Sequence, residues 1–288
     1  MSGAVMKMSG VPALSKDRVK VLENYVHIAS NIVREAYRQY DPKDIRLVWS
    51  GHKDSTLVLW IWKNTCEKYN LELPKAVTLH EGDDFPEVVE FLDTIKKEWN
   101  VELDVASNTN VLEACNHTLN ADVWVKDLDE RNKKELERIG FGNIERFPFE
   151  AESFIGNHLM KSVALNRYLE KENIPVIIQG LRWDEQPVRA DDPYFEEVPA
   201  AELQPRQIRI RPILHIDERA LWDIYNHFQI PFVSLYAQGY RSLGVKTTTT
   251  KSADVPAWEQ DLENTVERAG RRQDKEKAMA RMRALGYM

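Results

Sequence analysis

The sequence predicts an α/β protein, a parallel sheet flanked by helices with a helical and loop-rich C-terminal extension. Three observations carry this. Short continuous apolar runs such as "IRLVW" and "KAVTLH" read as strands buried on both faces. Longer stretches with helical spacing separate them, giving the order strand, helix, strand, helix, strand. The composition, 43% hydrophobic and 30% charged over 288 residues, is that of an ordinary globular chain.

The elements follow in order. Residues before about Ser15 are expected to form a loose arm. "KDRVKVLENYVHIASNIVREAYRQY" places Val21, Leu22, Tyr25, Ile28, Ala29 and Ile32 at helical spacing, and Asp41-Pro42 ends the helix. Ile45–Trp49 is the first strand. A small polar knot, Ser50 to Ser55, follows it. A helix then runs from Asp54 to about Tyr69, apolar nearly all round, with Asp54 and Ser55 as its start signal. Lys75–His80 is the second strand, "EGDD" a polar loop capping the next helix, and "FPEVVEFLDTIKKEW" that helix. "VELDVAS" is the third strand.

From Asn108 to Ala151 the chain is polar and weakly periodic, so helices and loops are expected there. "HLMKSVALNRYLEKENI" reads as a helix and "PVIIQG" as a strand ending at Gly180. The proline-rich, charged stretch from Gly180 to Gln207 reads as a long loop. "IRIRPIL" reads as an edge or terminal strand, since Pro212 cuts it. Asp217 is the expected N-cap of "IDERALWDIYNHF", with Ile216 and Leu221 at the spacing of a hydrophobic staple. The remainder reads as loop and a charged helical tail. We divide the chain into an α/β domain over 16–215 and an extension over 216–288 that completes the site.

A formal net charge of −7 argues against a general nucleic-acid or acidic-membrane binder. The only cysteines, Cys66 and Cys115, make neither a disulfide framework nor a zinc quartet. No structural zinc and no iron–sulfur cluster are therefore expected. The opening stretch lacks an apolar core of signal-peptide length and no run is long enough to span a bilayer, so a cytoplasmic protein is expected.

The knot "SGHKDS" carries the chemistry. In an open parallel sheet, ligands sit beyond the carboxyl ends of strands, where helices begin. A turn there offers backbone N–H groups and a positive helix end to phosphate. Gly51 permits close backbone approach, Ser50 and Ser55 donate hydroxyls, and Lys53 supplies a charge. Asp54 either receives Mg²⁺ or caps the helix. The pattern is neither G-x-x-x-x-G-K-[ST] nor G-x-G-x-x-G. From spacing alone, a capped helix after a tight turn explains the same residues.

Ser50-Gly51-His52-Lys53-Asp54-Ser55 resembles the pyrophosphate-binding PP-loop, Ser-Gly-Gly-x-Asp-Ser, of the adenine nucleotide alpha-hydrolase-like superfamily, a Rossmann-related fold. Within it the chain resembles phosphoadenylyl-sulfate (PAPS) reductases, the small subunit of bacterial sulfate adenylyltransferase and eukaryotic-type FAD synthetases. His52 departs from the pattern, where glycine or another small residue is usual. Its imidazole either crowds the phosphate or adds a titratable ligand. "GLRWDEQPVRA" resembles the Gly-x-Arg-x-Asp-Glu-x-x-x-Arg-Ala segment of the adenylyltransferase subunit. "SLYAQGYRSLG" resembles a segment shared by all three groups, and "ERAGRRQDKEKAMARMRALGYM" most resembles the adenylyltransferase subunit.

What the resemblance implies is an adenine-nucleotide enzyme, with ATP, adenylyl sulfate or PAPS as ligand. Lys53, Arg182 and Arg189 would stabilise charge on the transferring phosphoryl group. Ser50, Gly51, His52, Asp54, Ser55 and Gly180 would bind the phosphates, with Arg241, Thr249, Arg268 and Arg271 closing from the C-terminal side. His80 would line the adenine end. As bland alternatives, the arginines are surface ion pairs, "KTTTT" is a turn and the basic tail a solvated helix. Trp49, Trp60, Trp62 and Trp99 are expected in the core. Mg²⁺ is the expected cofactor, arriving with ATP. The acceptor is a small oxyanion or FMN, a GTPase subunit is a candidate partner, and an oligomer is compatible with the sequence. Reductase chemistry of this family uses a cysteine near the C-terminus, and the matching stretch here has none. A nucleotide-binding partner without turnover is the reading outside catalysis, and His52 is its best support.

Overall fold

A computed structural model describes residues 3–271. The expected helical tail from Arg272 lies outside them. Val5–Met6 (β1) pairs antiparallel with a strand from the far end of the chain, and Ala4 and Met8 are buried. The N-terminal arm is thus stitched down, because its small and apolar side chains find a place in the core. Helix α1 spans Lys16–Gln39 and starts where the Ser15 hydroxyl accepts a hydrogen bond from Arg18 N at 3.2 Å.

The sheet then begins. Ile45–Val48 (β2) leads into α2, Lys53–Tyr69. The N-cap is His52, whose side chain makes no capping hydrogen bond, so the expectation that Asp54 caps the helix does not hold. Its carboxylate is drawn to Arg182 instead. α2 is apolar all round because α1 and a later helix, Glu218–Phe228, also pack against it. Ala76–Leu79 (β3), Pro86–Glu98 (α3) and Leu103–Ala106 (β4) complete the first half.

The middle folds as a small satellite with its own core. Thr109–Ala114 (α4), Asp122–Trp124 (β5), Glu130–Arg138 (α5) and Arg146–Pro148 (β6) enclose Val111, Leu136, Phe147 and Phe149. β5 and β6 pair antiparallel, a ribbon where the sequence predicts helices and loops, since strands of three residues show too little alternation. Phe154–Asn157 (α6) continues through a π-helical turn at His158–Val163 into α7, Ala164–Glu172.

The second half of the sheet is Val176–Ile178 (β7), Phe195–Val198 (β8) and Gln207–Ile210 (β9). Helix α8, Glu218–Phe228, is N-capped by Asp217 as expected, its carboxylate accepting from Ala220 N at 2.7 Å. Phe232–Val233 (β10) is the partner of β1. The strand order is β4-β3-β2-β7-β9-β8, parallel except that β8 runs antiparallel to β9. β9 is therefore an interior strand and β8 takes the edge. Pro212 lies beyond the last paired residue of β9 and costs the ladder nothing. α8 and Phe232 share one buried cluster with α1, α2 and the sheet. Trp49 and Trp62 are buried in it, and Trp60 and Trp99 pack against it. Among the described residues no helix is long and apolar enough to cross a membrane.

Chain order steps outward from β2 in both directions, to β3 and β4 on one side and to β7 and β9 on the other. The crevice between the carboxyl ends of β2 and β7 is the switch point where open α/β sheets take ligands.

Candidate active site

The knot occupies that crevice. Gly51 has φ +76°, a left-handed conformation, and a Cβ there would come within 3.2–3.3 Å of Leu92 and Val88 side chains. Glycine lets the chain turn tightly off β2 and send His52 into the first turn of α2. The Ser50 and Ser55 hydroxyls lie 3.1 Å apart, and Ser50 N donates to Ser55 Oγ at 3.2 Å. Two tyrosines clamp the loop, Tyr236 from "SLYAQGY" and Tyr225 from α8. Lys53 N donates to the Tyr236 hydroxyl at 3.0 Å, and the Tyr225 hydroxyl donates to Lys53 O at 2.5 Å.

Gly180, at the end of β7, faces the same loop. A Cβ on it would lie 2.7 Å from Ser55 N and 2.8 Å from the Asp54 carbonyl carbon. Both are backbone atoms of the first turn of α2 and have nowhere to move. Gly180→Ala is expected to destabilise the chain by about 1–3 kcal/mol through overpacking. Urea denaturation checks this, and an unchanged midpoint would mean that β7 does not abut the loop.

A cavity of about 200 Å³ opens beside the knot. Among its lining are five cations, Lys53, Lys161, Arg189, Arg268 and Arg271, against three carboxylates, Asp54, Glu81 and Glu185. The lining thus carries more cations than carboxylates, in a chain of net charge −7. A second compartment of about 180 Å³ adjoins it, sharing Ser50, His52, Leu79, Glu81 and Gly244, and is lined by Phe85, Val88, Leu92 and Leu103. His80 stands at its rim, half-exposed, with Nδ1 2.5 Å from Asp84 Oδ2, and that hydrogen bond raises its pKa.

The charged residues form one network. The Lys53 ammonium is buried between Asp54, at 3.4 Å, and Glu267. Burial works against its charge, but Asp54 and Glu267 outweigh that and hold it protonated, above the ordinary lysine value. Arg182 is fully buried and spends its fork on Asp54, Glu267 and Asp184. Burial pushes the Glu267 carboxyl up, yet Arg182 and Lys53 together hold it well below its usual value. Asp54, buried with them, is pushed up by its desolvation although both cations pull the other way. Glu185 lies between Arg189 and Arg268, at 2.7 Å from the latter. Lys161 Nζ reaches Glu81 at 3.0 Å, and Arg271 reaches Glu152 at 2.5 Å.

His52 lines both compartments. Burial, then Arg271, Lys161 and Lys53, push its pKa down to about 3. The imidazole is neutral near pH 7, so it adds no charge to the cavity.

The structure thus brings Ser50, His52, Lys53, Asp54, Ser55, Gly180, Arg189, Arg268 and Arg271 to one cavity. It corrects three expectations. Arg182 stands behind Asp54 and Glu267 and is not among the lining residues. Arg241 is turned away, pairing with Glu218 at 2.7 Å and bonding carbonyls of Asp261 and Leu262, so it anchors the C-terminal segment. Thr249 closes a turn, its hydroxyl accepting from Gly244 N and donating to Val245 O. "EGDD" also differs from expectation. No side chain caps α3, and Asp83 instead accepts from Thr247 N at 3.0 Å and so holds the "KTTTT" turn. Sequence reasoning missed Lys161, Glu81, Tyr236 and Glu267 as site residues. Of these, Glu81, Tyr236 and Glu267 lay in singled-out stretches, though none was read as a site residue.

Residues 44–251 match the phosphoadenosine phosphosulfate reductase domain. The chain belongs to this family. Solved structures share its fold. The FMN adenylyltransferase of Candida glabrata superposes with a TM-score of 0.62 at 16% identity, over 91% of this chain and 91% of that one. The same enzyme in complex with FMN and the ATP analogue AMPCPP gives a TM-score of 0.58 at 15% identity, over 96% and 87%. The phosphoadenylyl-sulfate (PAPS) reductase of Candida auris, a phosphate complex, gives 0.54 at 13% identity, over 84% and 100%. At such identities the likeness is one of fold. Both cysteines of this PAPS-reductase-family chain, Cys66 and Cys115, are buried, and neither lines the cavity.

Proposed function

We propose that this PAPS-reductase-family chain binds an adenine nucleotide and transfers its adenylyl group to a small oxyanion, as a sulfate adenylyltransferase does. The observation that carries the reading is the cation-lined cavity at the loop 50–55, with no thiol among its lining. ATP would lay its polyphosphate over Ser50–Ser55 and its adenine in the apolar compartment beside Leu79 and Phe85. An acceptor oxygen would attack the α-phosphorus and pyrophosphate would leave. Such a step needs placement and charge stabilisation rather than a protein nucleophile. Lys53, Arg189, Arg268 and Arg271 would supply that charge, and Arg182 would hold Asp54 and Glu267 in place behind them.

Among the described residues no three His, Cys, Asp or Glu side chains converge to hold a metal ion. The one candidate carboxylate lining the cavity at the loop, Asp54, is already engaged by Arg182 and Lys53. Mg²⁺ therefore fits as the counter-ion of ATP, held mainly by phosphate oxygens, with Asp54 as the only loop carboxylate to meet it. Bound so, it would neutralise charge on the departing pyrophosphate.

A second reading, transfer to FMN, is favoured by the shared fold of the Candida glabrata FMN adenylyltransferase and by the apolar compartment. The test is pyrophosphate release from ATP and Mg²⁺ with sulfate or with FMN, with and without a GTPase partner subunit. Sulfate-dependent release is expected. FMN-dependent release would shift the assignment to the second reading, and release with neither would overturn adenylyl transfer. Thioredoxin-dependent reduction of adenylyl sulfate by the chain would also overturn it.

A further inference from the structure

Gln179, the residue after β7, lines the cavity and is 3% exposed. Its Oε1 accepts a hydrogen bond from Arg211 Nε at 3.3 Å, while its Nε2 has no partner. Arginine only donates, so Arg211 fixes which way the amide points, with the NH₂ group turned away from it. Arg211 is itself anchored, paired with Glu196 on the edge strand and donating to Pro193 O at 3.3 Å. The donor is thus held on the rigid floor of the sheet by two further layers of contact. A buried donor left unmatched costs about 1–3 kcal/mol. Gln179 shares the cavity lining with Ser50, Lys53 and Ser55 of the loop.

We infer that Gln179 donates a hydrogen bond to a phosphoryl oxygen of the bound nucleotide, with Arg211 as the residue that orients it. The inference rests on the cavity being a nucleotide site. A donor with no proton to lose complements an oxyanion at every pH, and it discriminates against a ligand that presents a donor there.

Calorimetric titration of the full chain with inorganic pyrophosphate and with ATP, for wild type, Gln179→Met and Gln179→Glu, is the test. Gln179→Met removes the donor and is expected to weaken both ligands about tenfold. Gln179→Glu keeps the partner of Arg211 but turns an acceptor toward the phosphate, and about a hundredfold loss is expected. Arg211→Met frees the amide to rotate and should weaken both ligands without touching them. Thermal melting without ligand reads the structural part separately. Wild-type binding that survives unchanged in both Gln179 variants overturns the inference and leaves the nucleotide reading standing. A wild-type chain that binds neither pyrophosphate nor ATP overturns the nucleotide reading itself, and the inference with it.

Discussion

Lys53→Met is expected to abolish the thermal shift expected of the wild-type chain with ATP or pyrophosphate. Lys53 is the one cation within the loop 50–55, and burial leaves it no solvent to share its charge with. A hydrogen bond to a charged group is worth about 1.5–3 kcal/mol, so affinity should fall by about a hundredfold. Titration calorimetry reads this directly. Binding within a few-fold of wild type would put the anion elsewhere in the cavity, nearest Arg268 and Arg271. In the ligand-free chain the ammonium is held by Asp54 and Glu267, so the substitution also leaves two buried carboxylates with Arg182 alone.

Arg182→Met is expected to cost more stability than any other single change at the site. The guanidinium is fully buried against Asp54, Asp184 and Glu267. Removing one partner from a buried ionic cluster strands the others, at about 3–5 kcal/mol. Chemical denaturation at pH 7 measures it, and a loss below about 1 kcal/mol would mean that the cluster is solvated in solution. The pH dependence adds a signature. Glu267 is held well below its ordinary value of 4.5, against the opposing push of burial, by Arg182 and Lys53. Its contribution is therefore present above about pH 4.5 and is lost as the pH falls below that value in the wild-type chain. Without Arg182 the carboxyl gains by taking up a proton, so the acid side of the stability profile should flatten.

Wherever local pattern settles structure, the chain could be read without coordinates. The helical spacing of α1, α3 and α8, the Asp217 cap and the continuous strands β2, β3 and β7 are all consequences of neighbours within a turn or two. The loop 50–55 was legible for the same reason, since a strand, a left-handed glycine and a helix start lie within a few residues. β5, β6 and β8 were not. Strands of three or four residues carry little alternation, and their pairing energy comes from partners distant in sequence.

The same division runs through the site. Sequence by itself determined the layered α/β class, the position of the loop 50–55 at the first strand-to-helix corner and the lack of a cysteine in its last stretch. Only the tertiary structure decided which charges line the cavity and which face each other. Arg182 meets Asp54 across 128 residues and Lys53 meets Glu267 across 214. Arg241, as plausible a phosphate ligand by type, was spent on Glu218 and the C-terminal segment. A buried charge must find its partner wherever the fold brings one, and a one-dimensional reading sees the charges without their distances. Gln179 shows the converse: an unremarked amide gains meaning once Arg211 fixes one end of it and the cavity lies at the other.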